Sequence, residues 1–195
     1  MNSHYLIRHG ETEWNAQKRM QGQIRDVPLN AAGLEQARQA AQALKQVRFD
    51  LIIASPLDRA AVTAQIIGTT TGIGIHYNER LIERGLGAAE GKTLDEIGLE
   101  TTGNPLANDK LARDWIYTTH LPPGAESIDA LKQRALNAFH DLIQTHAGKT
   151  ILIVSHGAWL RALSQQIAGE DMYYGNAVPH HAQQDIPLWR IAPLM

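Results

Sequence analysis

Three short runs of consecutive apolar residues constrain this chain most: Tyr5-Leu6-Ile7, Leu51-Ile52-Ile53-Ala54 and Ile151-Leu152-Ile153-Val154. A strand with one face in water alternates polar and apolar side chains. A run that is apolar at every position is buried on both faces, the habit of strands in a parallel sheet. Helical patterns lie between the runs. From Asn30, a helix cap by type, Leu34, Ala37, Ala41 and Leu44 follow at spacings of three and four, which keeps one helical face apolar. Ile128, Leu131, Ala135, Ala138 and Leu142 repeat the pattern. Ser55-Pro56-Leu57-Asp58 reads as a helix start, with Ser55 as cap and Pro56 at the first helical position. Strands alternating with helices predict a three-layer α/β/α sandwich around a mostly parallel sheet.

The chain has 195 residues, 44% of them hydrophobic and 19% charged. That is the size and composition of one globular domain, which predicts a single domain over 1–195. A Gly- and Pro-rich stretch at about 84–126, poor in strand signal and offering only short helical pieces, reads as an insertion that leaves the sheet. Such insertions serve as lids or binding loops. Lys and Arg number 18 against 20 Asp and Glu, so the broad positive field of a nucleic-acid binder is missing. Cysteine is absent, which excludes disulfides, thiol nucleophiles and thiolate metal sites. The first residues lack a secretory pattern, and no apolar run approaches membrane-spanning length. The expectation is a cytoplasmic protein with no membrane partner; a homodimer is compatible with the sequence.

Ligands of open α/β sheets sit beyond the carboxyl ends of the strands. Arg8, His9 and Gly10 follow the first run. Ser55 and, one turn on, Arg59 follow the second, and Ser155, His156 and Gly157 the third. Two arginines offer planar forks of donors to a phosphoryl dianion. A neutral imidazole offers a lone pair for in-line attack. A lone histidine or arginine in such a place is commonly structural. Their convergence on three strand ends points to an anion site.

The string Leu6-Ile7-Arg8-His9-Gly10-Glu11-Thr12-Glu13-Trp14-Asn15 resembles the signature of the histidine phosphatase superfamily, the phosphoglycerate mutase-like group. The resemblance continues through Met20-Gln21-Gly22-Gln23, Ser55-Pro56-Leu57-Asp58-Arg59-Ala60, Leu81-Ile82-Glu83-Arg84 and Val154-Ser155-His156-Gly157, as far as about residue 170. It implies a phosphoglycerate mutase-like fold and a small phosphorylated metabolite as substrate. By motif position, His9 is the nucleophile that becomes phosphohistidine. Arg8, Arg59 and His156 form the phosphate pocket, with His156 a cation or donor. Glu83 is the acid that protonates the leaving oxygen and later activates water. Asn15, Gln21, Gly22 and Gly157 contact the phosphoryl or the substrate beside it. The resemblance implies no metal and no cofactor. No Gly-rich nucleotide loop is present, so ATP or NAD is not expected. The pair His180-His181 invites a metal reading, but adjacent side chains diverge on an extended chain.

Members of this superfamily pass the phosphoryl to water or back to substrate. Mutases of the group are longer and carry an adjacent arginine pair in the insertion. Here the insertion offers Arg84, Lys92, Lys110 and Arg113 without such a pair. The favoured reading is a phosphomonoesterase. A cofactor-dependent phosphoglycerate mutase is the alternative, and a catalytically silent phospho-ligand binder is the reading from another class. Sugar phosphates, phosphoglycerate derivatives and the nucleotide-loop phosphate of a cobalamin precursor all suit related enzymes. Two stretches depart from the family pattern. Gln23–Leu29 runs one residue long, and Ala125 interrupts the usual Gly-Glu-Ser at Gly124-Ala125-Glu126-Ser127. Trp115, Tyr117 and His120 either wall the pocket or pack the insertion onto the body. Arg84 either touches substrate or forms a structural ion pair. Ile186–Ile191 reads as a late edge strand with Pro187 near its start.

Overall fold

The three apolar runs form the centre of one sheet. The computed structural model describes residues 3–118 and 122–194; His120 lies outside them. In chain order the elements are β1 (Ser3–Arg8), α1 (Glu13–Ala16), α2 (Ala31–Leu44), β2 (Leu51–Ala54), α3 (Asp58–Thr71) and β3 (Ile75–Tyr77). Then follow α4 (Pro105–Ile116), α5 (Ile128–Thr145), β4 (Ile151–Ser155), α6 (Gly157–Ile167), β5 (Pro179–Asp185) and β6 (Leu188–Pro193). The six strands lie in the order β3-β2-β4-β1-β5-β6. The first four run parallel. β5 and β6 complete one edge as an antiparallel hairpin on β1.

Successive residues of each run serve opposite layers. On β4, Ile151 and Ile153 pack with α5 and α6, including Phe139 and Trp159. Leu152 and Val154 pack with α2 and α3, including Leu44 and Ile67. Leu6 and Ile7 of β1 divide the same way. This is the α/β/α sandwich expected from the sequence. Each such buried aliphatic side chain contributes about 1.5–3 kcal/mol, so the sheet fixes where its carboxyl ends point.

Several expectations are corrected. The helix after β2 starts at Asp58, with Leu57 as its flanking residue and no side-chain cap. The Asp58 N–H instead donates to the Arg25 carbonyl, and the Ser55 hydroxyl is engaged elsewhere. The insertion holds a 12-residue helix, α4, not only short pieces. Its start is set by Asn104, whose side chain caps Leu106 N and Ala107 N, with Pro105 behind it. β3 and β5 were not expected. The edge strand begins at Leu188, after Pro187, because the chain must first turn back from β5.

Candidate active site

β2, β4 and β1 are neighbours in the sheet, so the residues that follow them meet. The His9 N–H donates to the Ser155 carbonyl and the Ser55 N–H to the Val154 carbonyl, fixing the three strand ends to one another. A cleft opens above them. Arg8, His9, Asn15, Gln21, Gly22, Arg59 and Glu83 line it. A second chamber shares Arg8 and Glu83 and adds Gly157, Arg161, Tyr117 and Met172. Arg113 and Tyr173 stand at the junction of the two. His156 lies beneath the cleft rather than on its wall. It is fully buried, its ring centroid 5.2 Å from that of His9.

Each of these side chains is held in a definite way. His9 Nδ1 lies 2.7 Å from the Gly10 carbonyl. A carbonyl only accepts, so Nδ1 carries the proton and Nε2 keeps its lone pair. Burial first, then the charges of Arg59 and Arg8, push His9 well below the ordinary imidazole range. Burial does the same to His156, with Arg59, His9 and Arg8 adding to it. Burial and these charges favour the neutral form of the His156 ring. Arg59 donates to the Ile24 and Gly22 carbonyls at 2.9 and 2.8 Å. Burial lowers its pKa to about 10 against the opposing pull of Glu83, so it stays charged at neutral pH. Arg8 donates to the Tyr174 carbonyl at 3.3 Å.

Glu83 caps the start of α6. Its carboxylate oxygens accept from Ala158 N and Trp159 N, both at 3.2 Å, and from Arg84 N at 2.9 Å. The helix has no cap of its own at His156, and the carboxylate meets the positive end of its dipole. Three buried nitrogens near His9 have no protein partner among the described residues: Arg8 Nε, Arg59 Nε and His156 Nδ1. Buried polar atoms are rarely left unpaired. Gln21 Oε1 is also buried and unpaired. Asn15 lines the cleft, but its carboxamide oxygen is taken by the Thr12 N–H and hydroxyl in a capping box.

Gly22 and Gly10 are glycines for steric reasons. Gly22 has a φ of +50°, and a Cβ there would lie 2.1 Å from Glu90 Oε1. That carboxylate accepts from Gln23 N and Leu86 N and ties the loop to the insertion. A Cβ on Gly10 would lie 2.4 Å from the Gly33 carbonyl oxygen.

Arg84 departs from both of its sequence readings, whereas Trp115 and Tyr117 each meet one of theirs. Arg84 lines neither chamber. Fully buried, it donates to the carbonyls of Ile116, Thr118 and Glu126 and so holds the end of α4. Trp115 packs on the small cluster of Met20, Leu86, Ala89 and Leu94. Tyr117 lines the second chamber, carries Arg161 on its ring and bonds Gln165. His180 bonds the Val178 carbonyl, whereas His181 pairs with Ser3 and stacks on Tyr5. Among the described residues no group of three or more His, Cys, Asp or Glu side chains could hold a metal. None of their helices is long and apolar enough to cross a membrane.

Sequence reasoning missed three supports. Asn176 donates to the His9 carbonyl at 3.0 Å. Arg134 of α5 pairs with both oxygens of Glu126 and donates to the carbonyls of Ile82 and Glu83. Ser55 lies 2.7 Å from His156 Nε2. Only Ser55 had a sequence signal, its place at a strand end, and its type suggested a cap instead.

The family profile described as Histidine phosphatase superfamily (branch 1) matches residues 4–184. The Uncharacterized phosphatase PhoE of Bacillus subtilis (strain 168) is 36% identical over 85% of this chain and 77% of its own. The Probable phosphoglycerate mutase GpmB of Enterobacter sp. (strain 638) is 38% identical over 87% of this chain and 76% of its own. Among solved structures, the mycobacterial glucosyl-3-phosphoglycerate phosphatase Rv2419c complexed with VO3 superposes with a TM-score of 0.81. It is 28% identical and covers 98% of this chain and 97% of its own. Fold, strand-end residues and these likenesses agree: the chain belongs to the histidine phosphatase superfamily, branch 1, and is an enzyme of that type.

Proposed function

We propose that the protein hydrolyses small phosphorylated metabolites through a phosphohistidine on His9, without a metal. The observation that carries this reading is the set of buried, unpaired nitrogens of Arg8, Arg59 and His156 around a neutral His9. Donors arranged in advance around developing oxyanion charge are a large part of such catalysis. In the first step His9 Nε2 forms a bond to phosphorus as the ester P–O bond breaks. The Glu83 carboxyl gives its proton to the departing alkoxide. In the second, water attacks phosphorus and yields a proton to the Glu83 carboxylate. The N–P bond breaks, inorganic phosphate leaves, and both residues return to their starting states. Arg8, Arg59 and His156 hold the phosphoryl oxygens, with Asn15, Gln21, Gly22 and Gly157 shaping the space beside them.

The name of the B. subtilis relative and the mycobacterial phosphatase fold support hydrolysis. The mutase name of the Enterobacter relative favours a second reading, in which the phosphoryl returns to a substrate hydroxyl. One assay separates them. With 3-phosphoglycerate and 2,3-bisphosphoglycerate, hydrolysis predicts free phosphate with little 2-phosphoglycerate. Fast isomerisation with little free phosphate overturns it. A phosphoenzyme captured by an acid-free quench, and missing from His9→Ala, is expected on either branch. Its absence, with phosphate binding retained, leaves a silent binder.

A further inference from the structure

Ser55 and His156 form a fully buried pair, with Ser55 Oγ 2.7 Å from His156 Nε2. Neither lines the open cleft. A serine hydroxyl has one hydrogen to give and two lone pairs. The Leu57 N–H donates to Ser55 Oγ at 3.3 Å, and this and the histidine are the oxygen's hydrogen bonds. If the ring donated from Nε2, the hydroxyl hydrogen would be buried with no acceptor, at a cost of about 1–3 kcal/mol. If the hydroxyl donates to Nε2 instead, its hydrogen has an acceptor, and the pair keeps one open group, the ring's Nδ1–H, in place of two, a hydroxyl hydrogen and an Nδ1 lone pair. The ring proton then sits on Nδ1, the nitrogen with no protein partner.

We propose that Ser55 is the positioning residue that fixes His156 as its Nδ1–H tautomer, so that this buried imidazole presents a donor, not a lone pair, to a phosphoryl oxygen. The proposal rests on the reading that the His9, Arg8 and Arg59 cluster holds a phosphoryl group. The opposite tautomer would aim a lone pair at an anion. Partners that fix the tautomer of a metal-bound histidine are commonly worth about 10–100-fold when lost, and a loss of the same size is expected here. Ser55 acts through His156 and touches no substrate.

The tautomer is read directly by 15N NMR of histidine-labelled protein without ligand, the His156 signals being those lost in His156→Asn. The expected result is a protonated-type nitrogen at Nδ1 and an unprotonated-type nitrogen at Nε2. Protonation at Nε2 overturns the proposal whatever the enzyme's activity, and no turnover on any ester leaves this measurement intact. Ser55→Ala is expected to mix the tautomers, lower kcat about 10–100-fold and weaken inhibition by inorganic phosphate. Ser55→Thr, which keeps the hydroxyl, is expected to restore the tautomer and most of kcat. A Ser55→Ala protein with the wild-type tautomer, or a folded Ser55→Thr protein with the hydroxyl bond retained that is impaired like Ser55→Ala, overturns it. Should Ser55→Ala fail to fold, the wild-type spectrum and Ser55→Thr decide.

Discussion

Glu83 is gripped by three backbone N–H groups, from Arg84, Ala158 and Trp159. That grip aims a carboxyl group but does not make it an acid, so the chemistry needs its own test. Glu83→Gln keeps the length of the side chain and removes the transferable proton. A general acid contributes about 10²–10⁴-fold when the leaving group is a poor alkoxide. The expected outcome is a kcat/KM loss of that order on sugar phosphates and a much smaller loss on p-nitrophenyl phosphate, whose leaving group needs no proton. Equal losses on both esters count against Glu83 as the acid. His9→Ala removes the nucleophile itself and is expected to abolish turnover on both. Arg8, His9, Arg59 and His156 were legible because each follows an apolar run whose burial dictates where the chain emerges, whereas Asn15, Gln21, Gly22 and Glu83 were named only through the family resemblance. The supports of these residues were not legible. Asn176, Arg134 and the Ser55 hydroxyl act through contacts between residues far apart in the chain, which no local spacing encodes.

At the scale of elements, the loop after β1 is pressed against the first turn of α2. A Cβ on Gly33 would sit 1.9 Å from the Glu11 carbonyl oxygen. Helix propensity alone favours Gly33→Ala by about 0.5–1 kcal/mol. Overpacking against backbone, which has no rotamer to give, costs about 1–3 kcal/mol. The steric cost outweighs the propensity gain, so Gly33→Ala is expected to lower the melting temperature. It is also expected to reduce turnover, because the displaced loop carries the Gly10 carbonyl that holds His9 Nδ1. Gly103→Ala, with open space around its Cβ, is the control and is expected to change stability by less than about 0.5 kcal/mol. A more stable Gly33→Ala protein would mean that propensity wins. The sequence showed α2 through its apolar spacing and its Asn30 cap, but held no sign of this contact. The antiparallel hairpin was harder to read for a related reason. β5 carries polar residues at every position from His180 to Asp185 except Ala182, so it has no apolar run to betray it. It is a strand because β1 and β6 supply its hydrogen-bond partners.

Across the described residues, four buried histidines are shifted in the same direction. Burial is the first cause of a lowered pKa in His4, His9, His156 and His180, and His4 falls to about 4. His4 shows how the fold enforces neutrality. Its Nδ1 accepts from the Ile151 N–H at 3.2 Å, and its ring packs among Phe139 and Trp189. A proton on Nδ1 would face another N–H. The unfolded chain has no such restraint, and there each ring takes its proton near pH 6.5. Below that pH the unfolded state binds more protons than the folded one, so stability falls. Above about pH 6.5 the contribution is complete. His4 alone removes up to about 1.4 kcal/mol per pH unit between roughly 6.5 and 4. The window from pH 6.5 to 5 isolates the histidines, since most carboxylates titrate lower. Urea midpoints across it are expected to drop steadily, and His4→Gln, which keeps an acceptor for Ile151, is expected to flatten the slope by about one proton. A midpoint constant from pH 7.5 to 5 would mean that these rings admit protons without loss, and the neutral nucleophile assigned to His9 would fall with it.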